Sequence, residues 1–97
     1  MEIKDLVRGG IKNVNVEGVI VRISEPRTVT LRSGQQSRVA DAVLQDDTGQ
    51  IDLSLWDSQI ESFSEGDRVR IENGYTTEFR GRTQLNVGKY GSIVKVE

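Results

Sequence analysis

Apolar and polar positions alternate along most of this chain, and the alternation changes phase at a few places. Ile51, Leu53 and Leu55 take one parity, while Asp52, Ser54 and Trp56 take the other, the period-2 pattern of a half-buried strand. Val43 and Leu44 end an earlier apolar run. Asp46-Asp47-Thr48-Gly49 supplies turn chemistry between the two, with Gly49 free to take a positive φ. A central hairpin is predicted, with the only Trp of the chain at the end of its polar face.

The flanking pattern adds further strands. Ile3, Leu6 and Val7 are spaced for one apolar helical turn, stopped by Gly9-Gly10, and read as a short plug or strap. Residues 14–24 form a long strand in which Val14 and Val16 share one parity and Val19, Val21 and Ile23 the other. Gly18 lies at the switch, where a bulge costs least. A strand bent at its centre can serve two sheets, as a small closed barrel needs. After Pro26, residues 27–32 alternate and Ser33-Gly34-Gln35-Gln36 turns, so 26–38 reads as a loop or ribbon leading into the strand 37–45. Ser58 and Glu61 have capping-box spacing for a short helix. Ile60 and Phe63 would cover one end of the barrel from it. Residues 68–79 form the next strand with Val69 and Ile71 inward. A bulge at Asn73-Gly74 would turn Tyr75, Thr77 and Phe79 outward. Without it, Tyr75 and Phe79 share the parity of Ile71 and belong to the core. Residues 82–88 return with Leu85 and Val87 inward, and 92–96 close the barrel. Five main strands, with a helix between the third and fourth, predict an all-β OB-fold. This is a five-stranded Greek-key barrel in one domain over 1–97.

Composition narrows the function. A chain of 97 residues buries roughly 60–70% of its unfolded surface, enough for one modest core. It has no Cys and no His, which removes disulfides, thiolate metal sites, the commonest general base and the commonest zinc ligand. No apolar run approaches the ~20 residues of a membrane span, and no signal-peptide h-region opens the chain. The expectation is a soluble protein without membrane partner, metal or cofactor. It would be cytoplasmic and nucleoid-associated, or nuclear in a eukaryote, and a monomer in isolation. Net charge is −2, which by itself argues against a nucleic-acid ligand. The distribution says otherwise. Eight of the 15 acids lie between Val39 and Asp67, a stretch with no Lys or Arg, leaving seven against all 13 bases elsewhere. A mixed solvated surface is the simpler reading of charge alone, but a basic groove on an acidic chain is compatible with it.

The candidate chemistry is stacking. Every base offers a π-face, so aromatic rings bind single strands whatever their sequence. Trp56, Tyr75 and Phe79 are expected on adjacent strands with their rings on one open face. Arg32, Arg38, Arg80 and Arg82 flank them to hold phosphates or stack. Thr30, Gln84 and Asn86 could hydrogen-bond base edges.

Asp46-Asp47-Thr48-Gly49, Leu53-Ser54-Leu55-Trp56, Glu65-Gly66-Asp67 and, above all, the run from Ile71 to Asn86 carry a resemblance. They resemble the simple single-OB-fold single-stranded-DNA-binding proteins of archaea. That family is related to the eukaryotic single-stranded-DNA-binding members of the SOSS repair complex and to the OB domains of replication protein A. The resemblance extends from about Ile3 to Val96. It implies single-stranded DNA as partner, base stacking at Trp56, Tyr75 and Phe79, and roles in replication, repair and recombination, with repair or replication proteins as further partners. Members usually continue into a flexible Gly- or Pro-rich tail with a charged end that recruits partners; residues 1–97 contain no such segment.

Three other readings compete with this one. A nuclease needs clustered carboxylates for a metal; Asp46, Asp47 and Asp52 are close in sequence but read better as a turn and a solvated strand face, and they lack calcium-loop spacing. A protein-docking OB module could use the acidic 39–67 segment. Binding of RNA or tRNA is the third, since stacking does not distinguish ribose from deoxyribose.

Overall fold

The computed structural model describes residues 1–88 and 90–96. Among them are seven strands: β1 (Val14–Ile23), β2 (Arg27–Thr30), β3 (Gln36–Asp46), β4 (Gly49–Trp56), β5 (Arg68–Phe79), β6 (Arg82–Asn86) and β7 (Ser92–Lys95). A short helix α1 (Ser58–Ser62) joins β4 to β5. The ring runs β1-β3-β4-β6-β5 and returns to β1, all pairs antiparallel except β4 with β6. This is the five-stranded Greek-key barrel of an OB-fold. Ile20, Leu44, Leu53, Leu55, Ile71 and Leu85 fill its interior. Phe63, after α1, is buried in the same core and Ile60 packs against it, as expected for a cover at one end. No helix among the described residues is long and apolar enough to cross a membrane.

Two strands lie off the ring. β2 pairs only with β3, from Arg27 opposite Val39 to Thr30 opposite Gln36, and forms the ribbon expected over 26–38. Among the described residues β7 pairs only with β5. The expectation that 92–96 close the barrel is therefore corrected. Closure comes from β6, whose Gln84 and Leu85 pair with Asp52 and Leu53 of β4. Alternation identifies a strand but not the edge it joins.

The phase changes also have causes that the pattern alone does not show. In β1 the inward parity runs unbroken through Val14, Val16, Gly18 and Ile20. The bulge falls later, where Ile20 faces Leu44 but Arg22 faces Val43, leaving Val21 as the extra, exposed residue. Gly18 serves a different need. Here β1 leaves β5 for β3, and a Cβ on Gly18 would lie 2.6 Å from the Gln45 carbonyl oxygen. The β5 bulge is where the sequence predicts it. Val14 faces Gly74 and Val16 faces Ile71, so β5 carries one extra residue. Asn73 takes φ 55° there, a region Asn tolerates, and Asn15 Oδ1 accepts its N–H at 3.1 Å.

The ends are tied by polar bonds. A single 3-10 turn over Ile3–Asp5 buries Ile3, and Leu6 follows it inward. Val7, expected on the same apolar turn, is 74% exposed, because the chain leaves the turn at Leu6. The Thr76 hydroxyl donates to the Arg8 carbonyl at 2.7 Å and accepts the Ile11 N–H at 2.9 Å, which straps 8–11 to β5. In the β3–β4 turn, Asp46 Oδ1 accepts bonds from Thr48 N–H, the Thr48 hydroxyl and Gly49 N–H, while Oδ2 accepts Ile3 N–H. Gly49 does not take a positive φ; the carboxylate organises the turn instead. Burial pushes the Asp46 carboxyl up, but its bonds from Thr48, Ile3 and Gly49 together hold it below the ordinary aspartate value. The Ser58–Glu61 capping box does not form. Asp57 is the N-cap with φ 51°, and Glu61 reaches instead to the Arg38 guanidinium.

Candidate nucleic-acid interface

The outer face of the barrel follows from the register. Arg22 of β1 faces Val43, Val43 faces Asp52, Asp52 faces Gln84, and Gln84 faces Thr77, one row across five strands. Beside it, Phe79 faces Arg82 at the mouth of the β5–β6 hairpin, and Tyr75 faces Asn86. Trp56 faces Val39, which in turn faces Arg27. Trp56 and the two β5 aromatics are thus not on adjacent strands, as expected from sequence, because β6 runs between β4 and β5.

A groove of about 580 Å³ lies on this face. Arg22, Arg27, Arg80 and Arg82 line it with Phe79, Gln84 and the carboxylates of Asp41 and Asp52, four guanidinium groups against two carboxylates. Both carboxylates are engaged. Arg27 Nη1 donates to Asp41 at 2.7 Å, and Arg82 donates to Asp52 through Nε and Nη2 at 2.9 and 3.0 Å. The hairpin tip, Arg80-Gly81, has both residues at positive φ, 53° and 79°, the two-residue turn that matches strand twist. Gly accepts this conformation freely and Arg does not. In return, the Arg80 guanidinium sits 5.1 Å from the centre of the Phe79 ring, within cation–π range. Phe79 remains 59% exposed, an apolar ring presented to solvent beside four arginines.

The other predicted residues distribute unevenly. Tyr75 is 41% exposed but lines a separate hollow with Tyr90, Lys12, Asn13 and Asn73. Trp56 is half-buried. Asn86 is buried, and its amide donates to the Thr77 hydroxyl at 3.0 Å, so a base edge would have to compete for it. Ser54, expected on a wet face, is also buried. Arg38 is held by Glu61, whose hydrogen bond and charge raise its pKa further. Thr30 and Arg32 are exposed on the β2–β3 ribbon and line neither hollow. Sequence reasoning left Arg22, Arg27 and Tyr90 out of the site. Only barrel closure brings Arg22 and Arg27 beside Phe79. Tyr90, in Gly88-Lys89-Tyr90-Gly91, had a local signal in its flanking glycines. Among the described residues, no group of three or more acidic, His or Cys side chains is arranged to hold a metal ion.

Residues 8–95 match the family model described as single-stranded DNA binding protein Ssb-like, OB fold. The chain belongs to that family. It is 34% identical over 89 residues to the single-stranded DNA binding protein Ssb of Saccharolobus solfataricus, covering 92% of this chain and 60% of that protein. It is 38% identical over 61 residues to Replication factor A of Methanothermobacter thermautotrophicus, covering 60% of this chain and 8% of that protein. The Ssb-like chain thus spans less than two thirds of either relative. Among solved structures, an OB domain from Thermoplasma acidophilum superposes with a TM-score of 0.84 at 29% identity, covering 99% of this chain and 85% of that one. A replication factor A related protein from Methanobacterium thermoautotrophicum gives 0.78 at 29% identity, covering 100% and 90%. This Ssb-like barrel presents the exposed Phe79 ring and its arginine groove on one sheet face.

Proposed function

We propose that this chain binds single-stranded DNA without sequence preference and protects exposed strands in replication, repair and recombination. The observation that carries the reading is the Phe79 ring, exposed on a sheet face and framed by Arg22, Arg27, Arg80 and Arg82. Bases stack on Phe79, Tyr75 and Trp56, and phosphates take the positions on Arg27 and Arg82 that Asp41 and Asp52 hold in the free protein. Stacking needs an open π-face, which a paired base in a duplex does not offer, so single strands are preferred. One OB barrel covers roughly 4–16 nucleotides. The carboxylates of the acidic 39–67 segment that lie outside the groove are left for partner proteins of the repair or replication machinery. The site of action is the nucleoid, or the nucleus in a eukaryote.

Trp56 provides the test, since it is the sole Trp. Its fluorescence should be quenched on titration with an oligo-dT strand and little changed by a duplex of equal length. Trp56→Ala should weaken oligo-dT binding by about 1–3 kcal/mol while the barrel stays folded. No quenching by either ligand, in folded protein at low salt, would transfer the reading to a protein-docking OB module.

A further inference from the structure

Tyr90 is 84% exposed, more than any other aromatic among the described residues, yet its backbone is held. The Asn73 amide donates to the Tyr90 carbonyl at 3.1 Å, and the Gly91 N–H donates to the Gly88 carbonyl at 3.1 Å. Gly91 approaches the β5 bulge so closely that a Cβ would lie 2.7 Å from the Asn73 carbonyl oxygen and 3.0 Å from that of Glu72. On the same segment, a Cβ on Gly88 would come 3.1 Å from the Tyr75 ring edge, so Tyr75 lies against bare backbone. The two tyrosines line a hollow of about 430 Å³ with Gly88, Lys12, Asn13 and Asn73.

The chemistry of this hollow differs from that of the Phe79 groove. Glycine backbone and tyrosine rings make flat apolar walls, suited to the faces of a base. Asn13 and the amide oxygen of Asn73 can meet a base edge, and Lys12 can meet a phosphate. Among the described residues no carboxylate lines it, whereas Asp41 and Asp52 occupy arginines in the groove. Its volume falls within the ~300–1,000 Å³ of small-ligand sites. Tyr75 and Phe79 project from the same face of β5 four residues apart, about 13 Å, or about four stacked nucleotide steps.

We propose that Tyr90 and Lys12 build a nucleotide site around the Tyr75 stacking position, in which the Tyr75–Tyr90 hollow takes an unpaired base of the DNA strand already lying in the Phe79 groove and sets Lys12 on its phosphate. This rests on the single-stranded-DNA reading above. A short strand fills the groove alone, and a longer one reaches both sites.

The test compares labelled oligo-dT of about four nucleotides with one of about 12, binding to wild-type protein, Tyr90→Ala, Tyr90→Phe and Lys12→Ala. Fluorescence anisotropy is the readout, and thermal melts check folding. Tyr90→Ala should bind the short strand like wild type and the long strand ~5- to ~150-fold more weakly. Tyr90→Phe, which keeps the ring, should retain wild-type affinity for both. Lys12→Ala should weaken the long strand more at low than at high salt. Wild-type affinity of Tyr90→Ala for both strands would overturn the proposal. So would dissociation of a wild-type dimer by Tyr90→Ala in sedimentation velocity with DNA affinity unchanged, which would make the hollow a contact between copies. If wild-type protein bound neither strand, the single-stranded-DNA reading itself would fall.

Discussion

Removing Asp52 should strengthen binding. Its carboxylate accepts two bonds from Arg82, at 2.9 and 3.0 Å, in the fork geometry that Arg also offers a phosphate. A DNA phosphate that takes the same Nε–Nη2 edge of Arg82 displaces this carboxylate and then lies close to it. Asp52→Asn relieves both costs. The Arg82 side chain is 73% exposed, so the ion pair is worth only about 0.2–1 kcal/mol. A carboxylate about 6 Å from a phosphate adds repulsion of about 0.7 kcal/mol at the dielectric constant of water. Together they predict binding tighter by about 0.9–1.7 kcal/mol, roughly 5- to 18-fold, at low salt. The assay is anisotropy of labelled oligo-dT across a salt series. The gain should vanish toward 1 M salt, where the screening length falls to about 3 Å. In an Arg82→Ala background, Asp52→Asn should yield only the repulsion part, and the difference is the coupling between the two residues. A folded Asp52→Asn protein that binds no tighter at low salt would refute the exchange of carboxylate for phosphate.

The barrel supports two stability predictions. Asp46→Ala deletes the acceptor of four hydrogen bonds in the β3–β4 turn and at the N-terminal strap, and should cost about 1–2 kcal/mol, or about 5–15 °C in Tm. Because the folded Asp46 carboxyl lies below its ordinary value, its contribution is complete above the unfolded pKa of about 3.9 and is lost as pH falls through the lower folded value. Urea melts should therefore show a constant gap between wild type and Asp46→Ala above about pH 5 that narrows below about pH 4; a gap that widens in acid would contradict this. Gly18→Ala sets a methyl 2.6 Å from the Gln45 carbonyl oxygen and should destabilise by about 1–3 kcal/mol, read by chemical denaturation.

Much of the barrel is legible in the sequence because strand alternation is a local signal. Ile51, Leu53 and Leu55, or Val69 and Ile71, are buried as their parity requires. Partner choice is not local. Nothing in residues 82–96 says that β6 meets β4 in parallel while β7 stays beside β5. The same limit explains the helix. Ser58 and Glu61 have the spacing of a capping box, yet Glu61 meets Arg38, 23 residues away, and an ion pair across the fold overrides the local motif. Gly18 stands out in the sequence, but its reason is the Gln45 carbonyl across the strand crossing, not a bulge of its own. Arg22 and Arg27 carry no sequence signal for the groove, since each gains its place from a neighbouring strand.

The β5 bulge links the core to the interface. Before it, odd positions point inward, as at Val69 and Ile71; after it, even positions do, as at Gly74 and Thr76. The extra residue therefore turns Tyr75, Thr77 and Phe79 outward without ending the strand. Its local cost is one Asn at positive φ and one N–H removed from the ladder, and Asn15 meets the second from β1. Thr76 gains from the same shift, because its hydroxyl reaches the interior side where residues 8–11 cross and ties them down. A deletion that removed the extra residue would restore the first parity, pushing the aromatics toward the core and Thr76 toward solvent. The exposed rings and the N-terminal strap thus depend on one irregularity, and the outward aromatics cannot be moved inward without also loosening the strap.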